Sequence, residues 1–451
     1  MNRFLVLLLA GLAVFAPAAC VGGEDAAAEP KKAAPAGDLY VGWAQRSITP
    51  DEPVALWGQM YLRVSKGVLD PVTCTALAIE TRNGDKSAEQ ALMVSCDMVG
   101  VTQEVQDKVR ERIAGKLQGF DTRKLFINAT HTHTAPVLPR RLQGWYEIPR
   151  EGLMQPERYM EFLVERIAEA AVEAWEKRQP ALVSWALGQA VVGHNRRPTY
   201  FDGKAVMYGN ATKDNFKNIE GYEDHGLEML FFRNKDRQLQ GILINVACPS
   251  QETEHLYEIS ADFWCEVREG LRKKYGETLF VFPQCGAAGD NSPHLVFRKK
   301  AEEEMLKRKG ISSRQEIANR IIAGVNEAYP FAGQVKSKVV FTHKADNIRL
   351  PVKEEGAEPL DVELHVIRLD DVAICTNPFE LYLDYGIRMK ARSPATLTMV
   401  CQLTGDYRGY LPTDKAVAGG GYSAEVYTVG PEGGAVLVDE TVRRINEMWG
   451  Q

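Results

Sequence analysis

The 451-residue chain has no surplus of positive charge, no disulfide pattern and no long apolar run beyond its first 15 residues. A formal charge of −6 and a pI near 5.9, with Lys and Arg scattered among Asp and Glu, leave no extended basic footprint for nucleic acid. The basic triplet 298–300 runs into the acidic run 302–304 and reads as a solvated, salt-bridged helix face. Apart from Cys20, the cysteines stand at 74, 96, 248, 265, 285, 375 and 401. That odd, dispersed set excludes a disulfide framework and reads mostly as small buried hydrophobes, with Cys248 a candidate exception. No repeat, linker or low-complexity break interrupts the chain after Asp38, and nothing in it calls for a protein partner. What remains, 45% apolar and 25% charged, is the composition of an ordinary globular chain of enzyme size.

The N-terminus reads as an export signal over 1–19. Arg3 supplies the charge, residues 4–15 an apolar core too short to span a bilayer, and Ala16-Pro17-Ala18 a small-x-small cleavage site. Cys20 offers a lipidation point and so a membrane tether, although Pro17 stands where a lipobox usually carries a branched aliphatic. Free secretion and a lipid anchor both stay open. Residues 20–37 are small, polar and proline-containing, the composition of a flexible tether. The expectation is therefore a periplasmic, extracellular or lipid-anchored protein, with 38–451 as one folded domain large enough to contain two tightly packed halves.

Strand-like runs at 75–80, 91–96, 182–187, 227–232, 241–247, 279–283, 338–341, 364–369 and 372–375 alternate with helical patterns. The clearest helices are 102–117, 156–175, 261–275, 313–328 and 434–448. Strands interleaved with helices predict an α/β or α+β fold of mixed sheets flanked by helices, with functional groups on the loops at strand ends.

The most informative such loop is Thr130-His131-Thr132-His133, directly after a short strand expected at 124–127. On extended chain, side chains at i and i+2 share a face, so the two imidazoles aim at one point, and neutral imidazole is a good zinc ligand. Two hydrogen-bonded structural histidines would show the same spacing, so further ligands are needed. Ser292-Pro293 follows Gly286-Ala-Ala-Gly-Asp-Asn291 at the exit of the run 279–283. It reads either as a nucleophilic serine beside an anion-stabilising nest or as a turn with Ser292 capping the next helix. Cys248-Pro249 ends another strand, twelve residues before Ser260-Ala261-Asp262, which is expected to open a helix. It is a thiolate ligand or a buried free thiol. Glu380 and Tyr410 follow two further strands and add a carboxylate and a phenol, though Glu380 could simply charge a helix N-terminus.

In combination and in chain order, these stretches resemble the neutral ceramidases, zinc amidases that cleave the N-acyl bond of ceramides, over essentially all of the chain after the leader. Val41-Gly-Trp-Ala-Gln-Arg-Ser-Ile-Thr49-Pro50 resembles the N-terminal signature of that family. Thr130-His131-Thr132-His133 resembles its Thr-His-Thr-His-Ser-Gly-Pro motif, Asn195-Arg196-Arg197-Pro198 its Asn-Arg-Ser-Pro, and Gly289-Asp290-Asn291-Ser292-Pro293 its Gly-Asp-Val-Ser-Pro. The resemblance implies zinc held by His131, Glu380 and Tyr410, with Cys248 where the family carries its second histidine. A thiolate there keeps tetrahedral binding but makes the metal a weaker Lewis acid. It further implies Ser292 as nucleophile, Tyr422 as a second active-site tyrosine, and His133 and Arg196 as hydrogen-bonding partners. For Arg196 the plain reading is a carboxylate-pairing surface residue.

The resemblance leaves the substrate open. The chain has no counterpart of the family's additional C-terminal immunoglobulin-like domain, and the stretch from Ser292 to Glu380 is shorter than in that family. The loop Leu138-Pro-Arg140-Arg141-Leu-Gln-Gly-Trp145-Tyr146 mixes aromatics with arginines, which suits sugars or anionic headgroups as well as acyl chains. Three readings follow: an amidohydrolase acting on ceramide or another N-acyl lipid, the same site turned to an N-acyl sugar, ester or polysaccharide fragment, and a non-catalytic surface-binding protein.

Overall fold

The computed structural model describes residues 35–139 and 145–451. The expected signal at 1–19, the tether up to residue 34, Cys20, Arg140 and Arg141 lie outside the described residues. Ala33–Gln451 is one compact unit. No helix among the described residues is long and apolar enough to cross a membrane.

Two mixed sheets pack face to face, as expected for mixed sheets flanked by helices. The large one runs in the order Phe280–Cys285, Leu239–Val246, Gly226–Asn234, Gln179–Gln189, Gly37–Ser47, Thr73–Asn83, Lys86–Cys96, Leu125–Ala129, with Lys338–Val339 added beside Gly37–Ser47. The small one is Phe341–Leu350, Leu360–Leu369, Val372–Thr376, Leu397–Cys401. Period-two alternation decides which face each residue serves. Leu77 and Ile79 point into the apolar layer between the sheets, where they meet Phe341, Ile367 and Met399, whereas Cys74, Ala76 and Ala78 face the helices outside. Gln103–Ile113 and Pro156–Glu176 cover one part of that outer face, and Trp264–Tyr275 and Ser313–Ala328 the other. Leu383–Arg392 and Pro431–Trp449 cover the outside of the small sheet.

The pairing is mostly antiparallel, with parallel contacts between Lys86–Cys96 and Leu125–Ala129, between Leu239–Val246 and Phe280–Cys285, and between Val372–Thr376 and Leu397–Cys401. Those contacts matter for function. The chain leaves these strands at their C-terminal ends into the segments that carry His131, Cys248, Ser292, Glu380 and Tyr410.

The strand Gly37–Ser47, absent from the sequence reading, pairs along its length with Thr73–Asn83 and sends Leu39, Val41 and Trp43 into the layer between the sheets. The helix expected at 261 begins only at Trp264. Asp262 adopts φ 56°, and its carboxylate accepts from the Thr253 amide and hydroxyl, which keeps the chain in a loop until then. The basic and acidic stretch forms the helix Lys299–Lys309 with no buried residue, a solvated face as its charge pattern predicts.

Candidate functional site

The strand before the histidines ends at Ala129, so the two rings are not brought together by extended chain. His131 instead takes a left-handed φ of 66°, and its Nδ1 donates to the Val99 carbonyl at 2.6 Å. That kink turns His131 Nε2 to within 3.2 Å of His133 Nε2 and 3.5 Å of Glu380 Oε2. His133 Nδ1 faces Glu254 Oε2 at 3.1 Å. Burial holds the His133 ring down at about 4, against the pull of Glu254. Burial raises Glu254, but the contact with His133 more than offsets it and holds the carboxylate at about 2.

Glu380 and Tyr410 are direct backbone partners in a short parallel bridge, which sets the carboxylate and the phenol side by side. Burial works against the Glu380 charge, yet His131, Tyr407 and Arg196 hold the group at about 2. Tyr407, missed in the sequence reading, donates to Glu380 Oε1 at 2.6 Å. Gly100 leaves room for its ring, since a Cβ there would lie 2.6 Å from Tyr407 Cδ2. Tyr422 stands with its ring perpendicular to Tyr410 at 5.7 Å, and burial followed by the field of Glu380 pushes its hydroxyl up to about 12, so it stays a donor.

Arg196 is not a surface residue. It is 3% exposed and among the described residues pairs with no carboxylate directly; its guanidinium donates to the Gly289 carbonyl at 2.9 Å, the Tyr208 hydroxyl at 3.0 Å and the Tyr410 hydroxyl at 3.4 Å. It thereby spans the serine loop and the Glu380–Tyr410 bridge. Ser292 does not cap a helix: it pairs with His194 in a short antiparallel bridge, and its Oγ accepts from the His294 amide at 3.2 Å. The His294 ring lies between two carboxylates, Glu252 at 3.4 Å and Glu254 at 3.7 Å. Tyr208, Gln251, Glu254 and His294 were all missed in the sequence reading. For His294 and Glu254 a signal existed, since each lies within a few residues of a motif, but nothing in their spacing says that they meet.

Cys248 does not join this group. It lies in the apolar cluster with Ile244, Val246 and Phe263, and its Sγ donates to the Val192 carbonyl at 3.3 Å. Burial, then Cys285, Asp262 and Glu252, push its thiol far above the ordinary range. Its loop does touch the histidine loop, through Ser250 Oγ donating to the Thr130 carbonyl at 2.6 Å. Among the described residues no three His, Cys, Asp or Glu side chains form a metal cage. The residues fit zinc in part. The His131–Glu380 separation of 3.5 Å matches a tetrahedral edge, which bond lengths near 2.0–2.1 Å put at about 3.4 Å. The Tyr410 phenol beside Glu380 adds an oxygen donor. A buried thiol held by a carbonyl does not fit.

No protein-family model matches the chain, and no curated protein matches it in sequence. Among solved structures it is similar to the neutral ceramidase of Pseudomonas aeruginosa, with a TM-score of 0.71 and 15% identity over 92% of this chain and 75% of that one. It is also similar to a ceramidase complexed with C2, with a TM-score of 0.69 and 16% identity over 90% of this chain and 74% of that one. At such identities the likeness is one of fold.

Proposed function

We propose that this chain is an exported, metal-dependent amidohydrolase that cleaves the N-acyl bond of a ceramide-like lipid, with Ser292 as nucleophile. The observation that carries the reading is the junction made by Arg196, whose one guanidinium touches both the loop of Ser292 and the Tyr410 hydroxyl beside Glu380. A decayed or purely binding surface has no need of a buried cation bridging a serine loop to a carboxylate–phenol pair.

His131, Glu380 and Tyr410 would hold the metal, and Cys248 would not. Bound there, zinc would supply Lewis acidity and a water of lowered pKa. Ser292 Oγ attacks the acyl carbon, its proton passes to the departing nitrogen, and water then releases the acid. Tyr422 and Arg196 donate toward the oxygen on which charge develops, and a well-placed donor of this kind is worth about 3–4 kcal/mol. His133, held by Glu254, orients that side of the site.

Zinc content and turnover of a fluorescent short-chain ceramide, measured on the wild type, His131→Ala and Ser292→Ala, test the proposal. One zinc per chain lost in the first variant, with turnover lost in both, is the expected result. Turnover that survives Ser292→Ala removes the nucleophile. Zinc without ceramide turnover moves the substrate toward N-acyl sugars and esters, for which the exposed ring of Trp145, 6.5 Å from Tyr422, offers a stacking surface.

A further inference from the structure

On the reading that His131 and Glu380 hold a metal, we propose that Tyr407 is a positioning residue that fixes Glu380 as a one-oxygen ligand and so sets the affinity of the centre. Its hydroxyl donates to Glu380 Oε1 at 2.6 Å. The direction of that bond is compelled, because an ionised carboxylate only accepts. The other oxygen, Oε2, lies 3.5 Å from His131 Nε2. The two oxygens are thus divided, one bonded to a phenol and one facing the imidazole.

Two neighbours seat the ring that carries this hydroxyl. Trp57 meets it edge-on, with centroids 5.2 Å apart and planes at 61°. Gly100 lies so close that a Cβ there would stand 2.6 Å from Cδ2, 3.1 Å from Cγ and 3.2 Å from Cβ of Tyr407. The residue before Gly100 is Val99, whose carbonyl accepts from His131 Nδ1 at 2.6 Å. Two consecutive residues of the loop that follows Lys86–Cys96 therefore back both candidate ligands, Val99 directly and Gly100 through Tyr407.

Metal ligands are oriented by outer hydrogen bonds of this kind, and losing one typically costs about tenfold to a hundredfold in metal affinity. Glu380 is 3% exposed, so water does not readily replace the phenol. Without that bond, Oε1 is left unpaired in a buried site and the carboxylate is free to turn until both oxygens meet the metal.

Tyr407→Phe deletes the hydroxyl and keeps the ring against Trp57 and Gly100. Zinc affinity from chelator competition is expected to fall about 10- to 100-fold. With Co2+ in place of zinc, the visible ligand-field bands of the variant should weaken relative to the wild type, as they do when a fifth ligand joins four. Zinc affinity within threefold of the wild type, or unchanged cobalt bands, overturns the role; a lower thermal midpoint of the metal-free variant with either result marks the bond as purely structural. No zinc bound by the wild type, or zinc bound equally by His131→Ala, removes the metal reading and this one with it.

Discussion

Replacing Cys248 with Ala separates two roles that the sequence and the structure assign differently. As a zinc ligand, the role that the motif resemblance implies, Cys248 would be indispensable to metal affinity. In the structure its sulfur has Val192 for a partner and Ile244, Val246 and Phe263 for neighbours. To reach a metal it would have to leave that cluster, give up the carbonyl and ionise against a strong burial penalty. Loss of one sulfur from a packed site, with its weak S–H donor, costs about 1 kcal/mol, comparable to removing a buried methylene. In a domain of this size that lowers the thermal midpoint by about 1–3 °C. Metal affinity, from chelator competition and elemental analysis of the purified protein, is expected to change by less than about threefold, against the tenfold or greater loss that follows removal of even an outer-shell partner. Thiol titration of the native protein should leave Cys248 unreacted until the chain is unfolded. A variant that melts normally but has lost its metal would refute the reasoning and restore the sulfur as a ligand.

Gly58→Ala should lower turnover by an order of magnitude or more, about 1.4 kcal/mol in transition-state stabilisation. Gly58 has φ 107°, and an added Cβ would fall 2.5 Å from His133 Cγ, so the ring must move; steady-state kinetics check this. Arg196→Met fills a similar volume but removes the donors to Gly289, Tyr208 and Tyr410, and kcat on the short-chain ceramide is expected to drop at least about 100-fold. Burial raises Glu363, but His365 and Arg110 outweigh it and hold the group at about 2. A lowered carboxylate stabilises the fold above its unfolded pKa of 4.5, and the contribution disappears as pH falls from 4.5 toward 2. That is at most about 3 kcal/mol, and urea denaturation at pH 5 and pH 3 should show a steeper loss in the wild type than in Glu363→Gln.

The layered fold was legible because its strands and helices carry strong periodicity. Ser313–Ala328 falls where the pattern places it, and the helix read at 434–448 is the core of Pro431–Trp449. The strand Gly37–Ser47 was not, because its alternation of Leu39, Val41 and Trp43 is broken by small and charged residues before it ends. Of the site, the residue types were legible and their meeting was not. His131 and His133 converge through a left-handed kink that no spacing rule contains. Tyr208 was invisible for the same reason, since it enters the site through a positive φ twelve residues from Arg196. The motif order that points to His131, Glu380 and Tyr410 also points to Cys248, whose side chain turns into the apolar cluster, because order along the chain fixes where a loop lies but not which way a side chain turns.

The Ser292 loop and the Glu380 segment follow strands of different sheets, and a buried amide, Gln402, is one of two groups that tie them together. Gln402 follows the small-sheet strand Leu397–Cys401, and its backbone N–H donates to the Cys285 carbonyl at 3.0 Å, at the end of the large-sheet strand that feeds the serine loop. Its Oε1 accepts from the Ala288 amide at 3.1 Å and the Leu381 amide at 3.0 Å. Ala288 belongs to the segment that leads to Ser292, and Leu381 adjoins Glu380. One side-chain oxygen therefore ties the Ser292 loop to the segment that carries Glu380. At 1% exposure it does so where water cannot substitute for it. Arg196 then closes the same gap from the other side, through Gly289 and Tyr410. On the proposed reading, a metal at His131 and Glu380 and a nucleophile at Ser292 would keep a constant separation, because two buried bridges, one neutral and one cationic, tie together the loops that carry these residues.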